Sequence, residues 1–437
     1  MFKFLRGLYS CLLVFAIPIL LGRLWWKGIR NPAYRERWGE RFGLGLCAFK
    51  PGGLWIHAVS LGESIAAIPM IRQLQQKFPD LPVLVTTTTP TGSAAIRNAL
   101  GDSVSQTYFP YDIPWVLKRF LAAVKPSILI ILETELWPNC LDLCKKQGVS
   151  VIIVNACLSL KSMKGYQWMA GITREMLNNV SLVAAQSMED GDRYLTLGLA
   201  KDRLVITGSM KFDVPVKEEQ VTEGKALKSV WKRPVFVAAS THSGEETQVL
   251  MAFKKILNTI PEILLILVPR HPERLKEILA LIKENEYSVV TRSSGLTILP
   301  ETKILLVDTL GELSVFYAAS DIAFVGGSLV PIGGHNALEA AVLGIPVIVG
   351  PYIDNITDVV QLLSGVGALV QIKDSDSLSA AVIHWLQSPE ERFRLGDNGR
   401  KAVEKNRGAL EKVVGLILAQ WGSMAQGSVA EQLQQVK

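Results

Sequence analysis

The sequence predicts an α/β protein in which two Rossmann-like domains in tandem face a ligand cleft, behind an N-terminal membrane-anchor helix. Three observations predict it. Short apolar runs alternate with helix-periodic segments, the alternation stops once and restarts, and an uncharged N-terminal stretch precedes both halves. Such alternation indicates parallel sheets with helices on both faces. At 437 residues the chain is too long for one ordinary core. Hydrophobic residues make up 49% and charged residues 20%, a balance that excludes a disordered chain.

Residues 1–45 read as the anchor and a basic juxtamembrane segment. The uncharged run ending at Gly22 is roughly 16 residues, just short of the roughly 17–25 of a spanning helix. Lys3 and Arg6 precede it, as in a signal peptide, but no small-residue cleavage site follows; Arg23, Trp25, Trp26 and Lys27 come instead. Tryptophans there suit a membrane interface. The basic residues Arg23, Lys27, Arg30, Arg35, Arg37 and Arg41 stand against only Glu36 and Glu40, which predicts a cytoplasmic main body. Spanning and dipping into one leaflet are both compatible with this pattern. The net charge of +6, gathered here, points to membrane lipids through residues 1–41 and not to nucleic acid.

The first domain is expected over 46–213. Its strands are Leu54–Val59, Val83–Thr87, Ile128–Leu132, Val151–Val154, Leu182–Ala185 and Leu204–Thr207, alternating with helical patterns. Charged residues 214–233 read as a linker with some helix. The second domain, 234–437, restarts with Val235–Ala238, Leu264–Val268, Val289–Val290, Ile304–Val307, Ile322–Val325, Val347–Val349 and Ala368–Gln371. Ligands of such sheets bind at the carboxyl ends of the strands.

The most informative stretch is Val325–Pro351. Glycines 326, 327, 333 and 334 let backbone amides approach a ligand, and Asn336 is placed to open a helix whose free N–H groups favour an anion. Glu339 then falls in the first turn. In the first half, Glu63 stands at a helix start, either as a general base or as a simple dipole partner. Thr86–Thr89 form a hydroxyl-rich strand end that binds sugar or caps the next helix. Glu133 and Glu135 follow a wholly apolar strand, and alternation assigns them to one face. Lys211 ends the last strand segment, where it suits an anionic group or an ordinary surface. In the second half Arg270 and His271, flanked by prolines, suit phosphate or carboxylate. His271 and His335 lack metal-ligand spacing, and five cysteines without a Cys-x-x-Cys pair suit a reducing compartment; no metal is expected.

Five segments together resemble the 3-deoxy-D-manno-octulosonic acid (Kdo) transferases of lipopolysaccharide synthesis: His57–Glu63, Glu133–Asn139, Lys211–Asp213, Pro269–Arg274, and Gly333–Asn336 with Glu339. The resemblance covers nearly the whole chain. It implies the two-domain GT-B glycosyltransferase fold, CMP-Kdo as donor substrate with no cofactor, and a lipid A precursor, lipid IVA, as acceptor at the cytoplasmic face of a bacterial inner membrane. It makes Glu63 the base of an inverting transfer, with Glu133 and Lys211 assisting. Its donor site falls on Pro269, Arg270 and His271, on Gly311, Glu312 and Leu313, and on Asn336, Ala337, Leu338 and Glu339. Rival readings are a GT-B transferase using a UDP-sugar and a lipid-linked acceptor, a sugar-nucleotide epimerase, and a membrane-tethered binding protein without catalysis. Oligomeric state is not legible in the sequence.

Overall fold

The computed structural model describes residues 2–46 and 49–435. The chain divides into two compact units, the first running to Asp213 and taking in the segment from Arg407 onward, the second Val214–Asn406.

The first unit holds seven parallel strands: β1 (Leu54–His57), β2 (Val83–Thr87), β3 (Ser105–Tyr108), β4 (Ile128–Leu132), β5 (Ser150–Ala156), β6 (Leu182–Ala185) and β7 (Leu204–Ile206). Their order is β3-β2-β1-β4-β5-β6-β7, so the order reverses between β1 and β4. Register pairs Leu54 with Ile128 and His57 with Ile131, bringing the carboxyl ends of these two strands level. Alternation along β4 explains its unbroken apolar run. Leu129 and Ile131 enter one core layer with Trp55 and Phe120, while Ile128, Ile130 and Leu132 enter the other. Both faces are covered, as parallel sheets require.

The second unit repeats the plan with β8 (Val235–Thr241), β9 (Leu264–Pro269), β10 (Val289–Thr291), β11 (Ile304–Leu306), β12 (Ile322–Val325), β13 (Val347–Val349) and β14 (Leu369–Gln371). The order is β10-β11-β9-β8-β12-β13-β14, again all parallel, reversing between β8 and β12.

Three features depart from the sequence reading. The polar strand β3 lies where no strand is expected. It forms an edge, where Glu40 Oε2 accepts from Tyr108 N (2.9 Å) and the Arg37 and Arg41 guanidiniums cover the Tyr108 ring (4.7 and 4.1 Å). Arg37 and Arg41 are therefore structural, and only Arg23, Lys27, Arg30 and Arg35 of the basic cluster stay exposed. The expected linker 214–233, read with some helix, is part of the second unit, its helix spanning Glu218–Trp231. Gly224 lets it approach closely: a Cβ there would stand 2.2 Å from the Val315 carbonyl oxygen. Finally, the chain returns to the first unit at its end. Ala409, Leu410, Val413, Val414 and Ile417, one helix face by their 3–4 spacing, bury into the layer of Ile128 and Ile130. Asp213 clamps this return, accepting from Gly408 N and Leu410 N, each at 2.7 Å. The second domain therefore ends at Asn406, and the expected span 234–437 is cut short.

Candidate active site

In the first unit the predicted residues gather where β1 and β4 end. Glu63 is the third residue of helix Leu61–Lys77 and forms a reciprocal capping box with Ser60. Its carboxylate accepts from Val59 N (2.8 Å), Ser60 N (3.2 Å) and Ser60 Oγ (2.8 Å), and only 8% of the residue is exposed. Glu133 follows β4 directly with φ at 60°, a left-handed conformation that costs a non-glycine residue roughly 1–2 kcal/mol. Asn155, near the end of neighbouring β5, adopts it too at 51°. Strain of this kind concentrates where function over-determines geometry. The turn at Glu133 ends the strand alternation, so Glu133 and Glu135 sit in a loop and not on one strand face. They remain close in charge. Burial, then Glu63, then Glu133 push the Glu135 carboxyl up to about 7.

Cys157 reports the same clustering. Burial first, then Glu133 and Asp190, raise its thiol to about 12, with Lys211 acting against them and Glu63 adding to them. Glu63, Glu133 and Lys211, far apart in sequence, thus act on one sulfur. Neither Cys157 nor the raised carboxyl of Glu135 is foreseen as part of this group. An acidic pair directly after a buried parallel strand is the only sequence signal for the second.

Other members of the resemblance are structural. His57 is wholly buried; its Nδ1 donates to Thr86 O (3.1 Å), its ring stacks on Phe109 at 3.9 Å, and desolvation lowers it to about 3. Thr86 and Thr87 are core, and Thr89 caps helix Pro90–Leu100, so the hydroxyl-rich end serves the fold. Trp137 is half-buried and packs on the core, 5.8 Å from Phe109. Asn155 Nδ2 and Ser209 Oγ are buried polar atoms with no hydrogen-bond partner among the described residues.

In the second unit, β8, β9 and β12 bring His242, Pro269–His271 and Gly326–Glu339 to one sheet edge. His242 Nε2 and His335 Nε2 are 2.7 Å apart, their rings stacked at 5.0 Å, with the His271 ring edge-on at 5.2 Å from that of His242. Burial, then Arg270 and the neighbouring imidazoles, lower His335 to about 4; burial and His271 lower His242. The pair is neutral at pH 7, one nitrogen donating and the other accepting. The exposed Arg270 guanidinium acts on Glu339, whose carboxyl burial raises and the Asn336 amide (3.3 Å) and Arg270 moderate. Ala337 and Leu338 are buried beneath this group. Gly311, Glu312 and Leu313 follow β11, on the next strand. There Glu312 is held by Arg292 (2.8 Å) and Thr309, and the Gly311 carbonyl accepts from Gln220 (2.8 Å). Glu312 is thereby kept ionised, its carboxyl lowered first by Arg292.

The glycine-rich stretch departs from its sequence reading twice. Its helix begins at Leu338, not Asn336, and spans a single turn to Ala341. Asn336, one residue before the cap position Ala337, accepts from Leu338 N at 3.0 Å. The amides of Gly327, Ser328 and Leu329 are already occupied within the chain. The fully buried Glu245 carboxylate accepts from Gly327 N (2.7 Å), Ser328 N (3.0 Å), Leu329 N (2.8 Å) and His242 N (2.9 Å). Glycine 326 is required by that packing: its Cβ would stand 2.6 Å from the Ser240 carbonyl oxygen. No group of three or more potential metal-ligating side chains occurs among the described residues.

Two parallel seven-stranded sheets, each reversing its strand order once, have the α/β plan of the GT-B class, and the family matches make the chain a glycosyltransferase. Residues 234–402 match the family model for glycosyl transferases group 1, and residues 36–214 that for 3-deoxy-D-manno-octulosonic-acid transferase. The Kdo transferase of Haemophilus influenzae is 39% identical over 94% of this chain and 98% of its own length. That of Bordetella pertussis is 34% identical over the same shares. The chain belongs to the Kdo transferase family. A UDP-GlcNAc 2-epimerase structure from Neisseria meningitidis, 14% identical, covers 84% of this chain and 100% of its own at a TM-score of 0.54. That likeness is one of fold alone, which is why the epimerase rival shares the architecture but not the family.

Proposed function

We propose that this Kdo transferase moves Kdo from CMP-Kdo to a lipid A precursor, lipid IVA, with inversion, at the cytoplasmic face of a bacterial inner membrane. The observation that carries the proposal is the grouping of Glu63, Glu133 and Glu135 beyond β1 and β4, where strand order reverses, with Lys211 acting alongside Glu63 and Glu133 on Cys157 after β5. Glu63 is the general base. Its oxygens accept three hydrogen bonds and keep lone pairs that can take a proton from an acceptor hydroxyl. As that proton moves, the hydroxyl oxygen attacks the anomeric carbon from the face opposite the nucleotide, and CMP departs. Lys211 pairs with the carboxylate that Kdo bears. Glu133 stabilises positive charge developing at the anomeric carbon as the bond to CMP lengthens.

On the donor side, Arg270 neutralises the single phosphate of CMP, and the Asn336–Glu339 turn, with Pro269, His271 and the Gly311–Leu313 loop, holds the nucleoside. With the His242–His335 pair neutral, the positive charge of this edge comes from Arg270 and from Arg274, which Glu246 holds at 2.9 Å. The donor arrives activated, so the reaction calls for proton transfer and charge stabilisation and for no cofactor. The test is to incubate purified protein with CMP-Kdo and tetraacylated lipid A precursor in detergent and weigh the lipid. A gain of whole Kdo masses is expected. No gain while CMP still binds would move the acceptor to another lipid-linked sugar.

A further inference from the structure

Length and composition make the N-terminal helix a candidate to cross a bilayer. Helix Phe2–Arg30 is roughly 40 Å long at ~1.5 Å per residue, with a mean hydropathy of 2.1 over its most apolar window. Its contacts argue otherwise. Near its start, Arg6 pairs with Asp142, the Tyr9 hydroxyl donates to Asp112, and Asn139 Nδ2 donates to Ser10 Oγ at 3.0 Å. Arg6, Tyr9 and Ser10 share one helix face by their spacing. Their partners belong to the first unit's α/β fold: Asp112 accepts from Asn139 N (3.1 Å) and Cys140 N (2.7 Å) at the start of helix Pro138–Lys146, and Asp142 also holds Lys146 (2.7 Å).

The far end is tied to the same unit. The chain turns at Asn31, Arg35 covers the Trp25 ring at 4.8 Å, and Arg37 reaches Ser93 and Gln106, each at 2.9 Å. A crossing helix would put Arg6 on the opposite side of a ~30 Å hydrocarbon layer from Arg30. It could not then hold Asp142 while Arg37 holds Ser93. Between the ends the helix has two sides. Leu13, Ile17, Leu20 and Leu24 continue the half-buried line of Tyr9, and the helix packs on helices Ala170–Asn178 and Pro138–Lys146. Phe4, Leu8, Leu12, Phe15, Ile19 and Trp26 recur at helical spacing on the other side, each at least 50% exposed.

We propose that this helix lies flat against the first unit and enters one leaflet sideways, its outward apolar stripe in the acyl region, without crossing the bilayer. The occupant of that stripe is an anionic phospholipid leaflet, matched by exposed Arg23, Lys27, Arg30 and Arg35 at one end of the helix. The proposal rests on the membrane reading given above and not on the transfer chemistry. The test is the full chain carrying an epitope tag ahead of Met1, expressed in cells with an inner membrane, with the tag probed by an impermeant antibody. The tag should be reached in inverted vesicles and protected in intact spheroplasts, on the side of the catalytic units. A tag exposed in spheroplasts would show a crossing helix and overturn the proposal, leaving the activity untouched. Full-length protein recovered free of membranes would overturn both this placement and the membrane reading. Doubling the lock substitution Asp142→Ala with Asp112→Asn should leave the protein bound but lose protection of the Arg6 region from trypsin; unchanged protection would count against the docking itself.

Discussion

Replacing Glu63 separates the two things its carboxylate does. As a cap it satisfies Val59 N, Ser60 N and Ser60 Oγ at a site 8% exposed. Glu63→Ala removes the capping box, about 1 kcal/mol, and leaves a buried amide unpaired, a further ~1–2 kcal/mol. At about 2–4 °C per kcal/mol for a domain of this size, the first unit should melt roughly 5–10 °C lower. Loss of a general base is larger in rate, about 10²–10⁴-fold. Glu63→Gln distinguishes the roles: it keeps one carbonyl acceptor but presents an NH2 to donors, so it should melt between wild type and Glu63→Ala while losing as much turnover as Glu63→Ala. The assay is Kdo transfer at 20 °C, where both variants remain folded, alongside thermal unfolding and CMP binding. A Glu63→Gln enzyme within a few-fold of wild-type turnover would refute the base assignment and leave Glu63 a cap.

Three further outcomes are expected. Glu135 has its carboxyl raised from 4.5 to about 7 by burial and by Glu63 and Glu133, so its protonated form favours the fold. That contribution is complete below about 4.5 and lost as pH rises through 7; Glu135→Gln should flatten the melting profile between pH 5 and 8 and raise the melting temperature at pH 8. Arg270→Ala should weaken CMP binding by about 10–100-fold in calorimetry, the range of a hydrogen bond to a charged group, with melting unchanged because its side chain is exposed. Glu245→Ala strips the acceptor from four backbone amides and should destabilise the second unit by at least about 3 kcal/mol in denaturant unfolding, with loss of CMP binding following from the collapsed turn.

The interior strands were legible because a parallel strand covered on both faces must be apolar throughout, as Ile128–Leu132 is. The edge strand Ser105–Tyr108 was not, since its outer rim is satisfied by Glu40 and the arginines, which lets it be polar. Residues 214–233 read as a linker with some helix, and not as part of the second unit, because helix Glu218–Trp231 contacts that unit through a narrow face centred on Gly224, and a narrow face leaves a charged sequence. The candidate residues Glu63, Glu133 and Lys211 were legible one at a time as strand-end positions. Their shared neighbourhood around Cys157 was not, because it depends on the order of strands in space.

By itself, then, the sequence determined the alternation of elements, the apolar strands, the anchor-like helix and the family, all of which rest on local pattern. Tertiary structure decided which polar groups are already occupied. Glu245 takes the glycine-loop amides that otherwise look free for an anion, and Asp213 binds the returning C-terminal segment. It also decided where the N-terminal helix rests, since Arg6 meets Asp142 only after the sheet has brought them together. A buried donor or acceptor must find a partner, and that partner is set by proximity in the folded chain, which no spacing along the sequence encodes.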